Sequence, residues 1–256
     1  MIKNMKFVIA VIMFLIPFSV IRSQVNPSGN MVGQNQHSFF LGGTTVDDYK
    51  KIALPMPLLV KILRESSCRL GTINEKGYGI LVKGDNIFAH TAEIPVSMLQ
   101  VLNGVKKDRG IIRDMVLANN GCWCVVWGKN SSYGYTSTVF SSRLEKIREN
   151  DEAILSIAYN DNHEWIVVTD KNCYTSSDKY ASFLKDAESI YGFVSSVSIT
   201  NTAMVACCQK GVYYENIPKR VQEILQQCNF IPRIIKFTDS GTCLITDGAS
   251  ECVYWL

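Results

Sequence analysis

Apolar and polar positions along this chain follow one order that recurs five times. A short alternating segment leads to a polar turn and a longer apolar run. A second polar turn, a segment carrying aromatic residues and a stretch with apolar residues three and four apart come next. The first turns follow Ile73, Leu117, Tyr159, Ile199 and Phe237, so successive copies are offset by 44, 42, 40 and 38 residues. A period of this length marks a propeller, a solenoid or another array of stacked units.

The alternating segments place Met115 and Leu117, then Leu155, Ile157 and Tyr159, then Val197 and Ile199, then Ile235 and Phe237, on one face. That period of two predicts a strand with one buried side. The turns that follow are rich in Asn, Asp and Gly, which tolerate the positive φ of tight hairpins. The apolar runs, including Gly79 to Val82, Cys122 to Trp127, Trp165 to Val168, Met204 to Cys208 and Cys243 to Ile245, predict a middle strand covered on both faces. Phe88, Tyr135, Tyr174, Tyr213 and Tyr254 mark a third strand. Helices are expected after Ile94-Pro95, at Ser141-Ser142, from Ala181 and after Ile217-Pro218, with one more over Leu54 to Leu63.

The expected fold is mainly β with interleaved helices. It comprises five βββα-type repeats, near 46–90, 91–136, 137–176, 177–215 and 216–256, within a single repeat domain over 46–256. One unit cannot bury its apolar face alone, and stacking five against one another does. The first and last copies are as apolar as the middle ones, so the pattern favours a five-bladed propeller-like ring, with an open α/β repeat array as the alternative. In outline, residues 50–256 resemble bacterial secreted proteins built of short propeller-like repeats. That resemblance implies a repeat architecture and carries over no functional residue.

The N-terminus breaks the pattern. Lys3 and Lys6 precede an apolar run of 15 residues, Phe7 to Ile21, and Arg22-Ser23-Gln24 restores polarity. A spanning helix needs about 20 residues, so residues 1–23 read as a signal peptide. Residues 24–45 read as a flexible leader. A secreted, periplasmic or cell-surface location is expected, with no stable membrane insertion after cleavage.

The chain has 256 residues, 47% hydrophobic and 19% charged, with a formal charge of +3. This is a core-forming composition, and its near-balanced charge gives no case for nucleic acid. Nine cysteines, an odd number, sit mostly inside apolar runs and read as small hydrophobes, with one or two disulfides left open.

No catalytic constellation is legible. Cys122-Trp123 is followed by a histidine only at His163, 41 residues on, and the segment is already explained as a strand. Cys122 and Cys124 with Cys207 or Cys208 lack the paired spacing of a zinc site. No catalytic residue, metal or cofactor is expected. The turns are the candidate ligand-binding positions: Asn119, Asn120, Asp161, Asn162, Asn201 and Asp239. The expected function is a binding or scaffold module for a glycan, peptide or protein partner. The alternative is a secreted hydrolase whose carboxylates converge at the mouth of the ring.

Overall fold

The computed structural model describes residues 33–34, 38–40, 68–84, 87–91, 93–249 and 251–255. The segments expected as a signal peptide and as the Leu54 to Leu63 helix lie outside them. The described chain is mainly β, with four helices and five small sheets, each built on an antiparallel three-stranded unit.

Each sheet is a meander. The first strands are β3 (Leu70–Ile73), β6 (Ile112–Leu117), β9 (Ile154–Tyr159), β12 (Val194–Ile199) and β15 (Ile234–Phe237). The middle strands are β4 (Gly79–Lys83), β7 (Trp123–Trp127), β10 (Trp165–Thr169), β13 (Met204–Cys208) and β16 (Cys243–Thr246). The outer strands are β5 (Ile87–His90), β8 (Ser131–Tyr135), β11 (Cys173–Thr175), β14 (Val212–Glu215) and β17 (Cys252–Trp255). The last residue before each first turn pairs with the first residue of the middle strand: Ile73 with Gly79, Leu117 with Trp123, Tyr159 with Trp165, Ile199 with Met204 and Phe237 with Cys243. The repeat therefore holds in register as well as in order.

Two further strands extend the fifth sheet. They are β1 (Gly33–Gln34) and β2 (Ser38–Phe40), and β2 pairs parallel to β17 through Ser38 and Cys252. Both fall within the segment expected as a leader.

Helices α1 (Val96–Lys107), α2 (Thr138–Glu149), α3 (Asp178–Tyr191) and α4 (Lys219–Gln227) join successive sheets. Two start earlier than the sequence pattern placed them. Ser137 is the N-cap of α2 and accepts a hydrogen bond from the Phe140 amide, so Ser141 and Ser142 lie inside the helix. Serine at Ncap satisfies an orphan amide, and the earlier start brings Phe140 onto the stripe with Leu144 and Ile147. Likewise α3 starts after Ser177, three residues ahead of Ala181.

The middle strands face two cores at once, which explains their unbroken apolarity. Trp123 and Val125 pack with Leu70, Ile80 and the α1 residues Met98 and Leu102. Their neighbours Cys124 and Val126 pack with Phe140, Leu144, Ile157 and Trp165. The same division recurs at the next two junctions, where α3 and α4 each fill the space between two sheets. The first strands lie side by side in the order β3, β6, β9, β12 and β15, and β15 in turn adjoins β3. At that last junction Leu244 packs on Gly71. A Cβ on Gly71 would stand 2.7 Å from Leu244 Cδ2 and 2.8 Å from the backbone oxygen of Ile80, which cannot give way as a side-chain tip can, so the position favours glycine.

Candidate functional site

The first turns gather at one end of the first strands because strand order and register repeat. Four of the five share one geometry. The first residue of the turn accepts an amide hydrogen bond from three positions on, where φ is positive: Gly77 (φ 75), Gly121 (φ 86), Gly241 (φ 94) and His163 (φ 62). The fourth turn is one residue shorter, closing from Thr200 to Ala203, and needs no such residue. Asn74, Asn160 and Thr200 hold their turns with a side-chain oxygen that accepts two amides each, the local bonding that favours Asn and Thr in turns.

A cavity of about 80 Å³ opens among these turns. It is lined from all five sheets, by Asn74, Glu75, Asn119, Asn160, Asp161, Thr200, Asn201, Thr238 and Asp239 among others. Four of the six residues expected from sequence line it: Asn119, Asp161, Asn201 and Asp239. Asn120 and Asn162, the next residues in their turns, are exposed and do not.

The acidic residues on this rim join neighbouring turns. The Asp161 carboxylate accepts Asn119 Nδ2 at 2.7 Å and the Asn120 amide at 3.1 Å. Asp239 accepts the hydroxyls of Thr200 and Thr202. Glu75 accepts the amides of Asp239 and Ser240. In each case the second residue of one turn reaches back to the turn of the preceding sheet, with the first sheet reaching back to the fifth. Two junctions use other groups: Lys76 Nζ donates to the Asn119 carbonyl at 2.9 Å, and Asn160 Nδ2 to the Thr200 carbonyl at 3.1 Å. Asn119 Oδ1 is buried and, among the described residues, has no partner.

Lys236 lines the cavity from within, and sequence reasoning missed it. It is 5% exposed, and its Nζ lies 2.9 Å from Asp114 Oδ1. Asp114 also accepts the Met115 amide (2.8 Å), the Ser156 hydroxyl (2.6 Å) and the Ile157 amide (2.9 Å). Ser156 in turn accepts the Val197 amide at 3.1 Å. One polar network thus links the second, third, fourth and fifth sheets. Arg113 is the extra residue of a β-bulge just before Asp114, the kind of irregularity that re-aims a side chain.

Beside the cavity, the seam between the second and third sheets brings together Cys122, Tyr159 and His163. His163 Nδ1 is 2.7 Å from the Tyr159 hydroxyl and 4.0 Å from Cys122 Sγ, and the Ser137 amide donates to Tyr159 at 3.0 Å. The spacing of 41 residues gave no sign of this contact. Burial pushes the Cys122 thiol up, the hydrogen bond with Tyr159 pulls it back and the Asp161 charge pushes it further up, for a net rise. A thiol held protonated is a poor nucleophile.

The other groups weighed from sequence are dispersed. Cys124 faces the core between the second and third sheets, Cys207 that between the fourth and fifth, and Cys208 that between the third and fourth. Among the described residues no group of three or more His, Cys, Asp or Glu side chains is arranged to hold a metal. The third-strand aromatics do not form one surface. Tyr133 and Tyr135 are 60% and 70% exposed and Tyr254 is buried. Tyr174 donates to Glu152 at 2.6 Å, and Tyr213 packs on Phe183. No helix among the described residues is long and apolar enough to cross a membrane. No protein-family model matches this chain, and comparison with curated proteins gives no significant match.

Proposed function

We propose that this chain is an exported binding module, a five-bladed propeller-like ring that grips a partner with the polar mouth formed by its first turns. The carrying observation is the cavity lined by turns from all five sheets. Ring closure is supported by the contacts between the first and last sheets: β15 beside β3, Leu244 on Gly71 and Glu75 on the turn of Asp239. Deleting residues 233–256 tests it. A closed ring loses cooperative unfolding on that deletion, whereas an open array keeps a sharp transition.

Size decides the kind of ligand. A pocket that engulfs a small molecule measures roughly 300–1,000 Å³, and this cavity measures about 80 Å³. A partner therefore lies across the rim and sends at most a small group inward. The rim is rich in acceptors, with the carboxylates of Glu75, Asp161 and Asp239. It suits a polymer studded with donors, such as the hydroxyls of a glycan chain or the amides of a peptide. The carboxylates already join turn to turn, which supports recognition over hydrolysis.

Glycan and peptide arrays, run beside a broad hydrolase panel, test the reading. Asn119→Ala and Asn201→Ala should each weaken the captured ligand by roughly two- to tenfold, the effect of one hydrogen bond worth about 0.5–1.5 kcal/mol net. Turnover that vanishes with a single carboxylate substitution would replace binding by catalysis. Export has its own test, N-terminal sequencing from the native host, with a start near Gln24 expected.

A further inference from the structure

Helix α2 carries a second cavity on its flank toward the third sheet. It measures about 320 Å³ and is lined by Thr138, Val139, Ser142, Arg143, Lys146 and Trp165. It shares no residue with the mouth. It also reaches the roughly 300–1,000 Å³ range of small-molecule sites, which the mouth does not. Thr138, Ser142 and Lys146 are four apart and share one line of the helix, and Arg143, three residues before Lys146, is its surface neighbour.

The charge of this cavity is uncompensated. Arg143 and Lys146 are cationic, and none of the six lining residues is acidic. Among the described residues neither side chain makes an ion pair or a hydrogen bond, and the adjacent Glu145 is taken by Arg148 at 3.0 Å. Arg143 is nevertheless held in place. Its Cζ lies 4.9 Å from the ring centroid of Tyr174, and Tyr174 is fixed by donating to Glu152 at 2.6 Å. Stacking uses the face of a guanidinium and leaves its in-plane N–H groups free. A preoriented fork of donors thus stands with an ammonium group and the hydroxyls of Thr138 and Ser142 around one cavity.

We propose that this cavity binds the phosphate group of a small organic monoester. Two cations match a phosphate monoester, which carries about −1.5 to −2 charges at pH 7, and a guanidinium fork fits two of its oxygens bidentately. Val139 and Trp165 give the cavity an apolar wall, against which the organic part of the ester packs. The site stands apart from the polymer-binding reading of the mouth, and it does not depend on ring closure.

Isothermal titration calorimetry of the full chain tests this, with phenyl phosphate as the probe and phenol and inorganic phosphate as comparisons. Phenyl phosphate should bind saturably, with a dissociation constant at or below about 1 mM, and more tightly than inorganic phosphate. Phenol should not bind. Arg143→Gln should weaken phenyl phosphate roughly ten- to hundredfold, the loss of charge-assisted hydrogen bonds. Arg143→Lys should recover only part of that loss, because lysine keeps the charge without the fork. Lys146 is exposed, so Lys146→Gln should weaken binding while the thermal midpoint holds. Lys185→Gln, at an exposed position on α3, should leave binding unchanged and so separates this site from general attraction to positive charge. The proposal is overturned by no binding of phenyl phosphate, by phenol or inorganic phosphate binding as tightly, or by an affinity that neither Arg143→Gln nor Lys146→Gln alters. If Arg143→Gln does not fold, Lys146→Gln decides. Glycan and peptide arrays that fail at the mouth leave this result untouched.

Discussion

The Asp114–Lys236 pair gives the sharpest test of how the centre of this structure is held together. Both side chains are nearly inaccessible, at 3% and 6% exposure, with the charged atoms 2.9 Å apart. Removing one partner of a buried pair leaves an uncompensated charge and costs about 3–5 kcal/mol. The two removals are not equivalent. With Lys236→Met, Asp114 keeps three neutral donors: the Met115 amide, the Ile157 amide and the Ser156 hydroxyl. With Asp114→Leu, Lys236 keeps only the Ile157 carbonyl at 3.4 Å, and those three donors lose their acceptor. An orphaned buried donor costs about 1–3 kcal/mol. Lys236→Met should therefore cost about 3 kcal/mol, and Asp114→Leu about 5 kcal/mol or more. At roughly 2–4 °C per kcal/mol for a domain of this size, the two midpoints should fall by about 6–12 °C and 10–20 °C. Urea unfolding monitored by tryptophan fluorescence and by circular dichroism measures both and checks for coincident transitions. The double variant should recover part of the Asp114→Leu loss, because it leaves no uncompensated charge and only the orphaned donors remain. Equal costs for the two single variants, or a cost below about 1 kcal/mol for Asp114→Leu, would refute the reasoning.

Trp123 and Trp165 occupy equivalent positions at the head of β7 and β10 and are 2% and 4% exposed. Alanine at either should cost roughly 3–5 kcal/mol in urea unfolding, and a near-neutral result at both would break the repeat alignment. His163 adopts the positive φ that glycine supplies in three other turns. His163→Gly should relieve about 1–2 kcal/mol of backbone strain and lose a hydrogen bond worth about 1 kcal/mol, so the thermal midpoint should hold or rise slightly; a large drop would mean that the Tyr159 contact dominates. Glu164 is held below its ordinary range, mainly by the hydrogen bond from Asn160, against the opposing effect of burial and with help from Tyr180. A depressed folded-state value means its contribution is complete above the unfolded carboxylate value, near pH ~4.3, and is lost as pH falls through the lower folded value. Tyr180→Phe should raise the pH of half-unfolding in an acid titration, and an unchanged acid limb would contradict this.

Much of this fold is legible along the chain because its units are local. A hairpin turn such as Asn119-Asn120-Gly121 and an apolar strand such as Cys122 to Trp127 are set within a few residues, and their recurrence exposes the array. The start of α2 was misplaced because two serine groups compete as caps, and only the buried ring of Phe140 decides for Ser137. What the chain pattern hides is contact between units. Asp114 and Lys236 are 122 positions apart and each looks like an ordinary polar residue within a strand, yet they pair in the buried interior. The turn residues show the same division more sharply. Composition marks Asp161 and Asp239 as turn formers and says nothing of where their carboxylates go. In space each is drawn to the neighbouring turn, because a carboxylate next to orphaned amides and hydroxyls gains charge-assisted hydrogen bonds. The acids thus join turn to turn, and one acceptor among them, Asn119 Oδ1, is buried with no partner among the described residues. A binding surface in such an array is accordingly to be sought among the turn residues its neighbours leave unsatisfied, and only spatial neighbours reveal which those are.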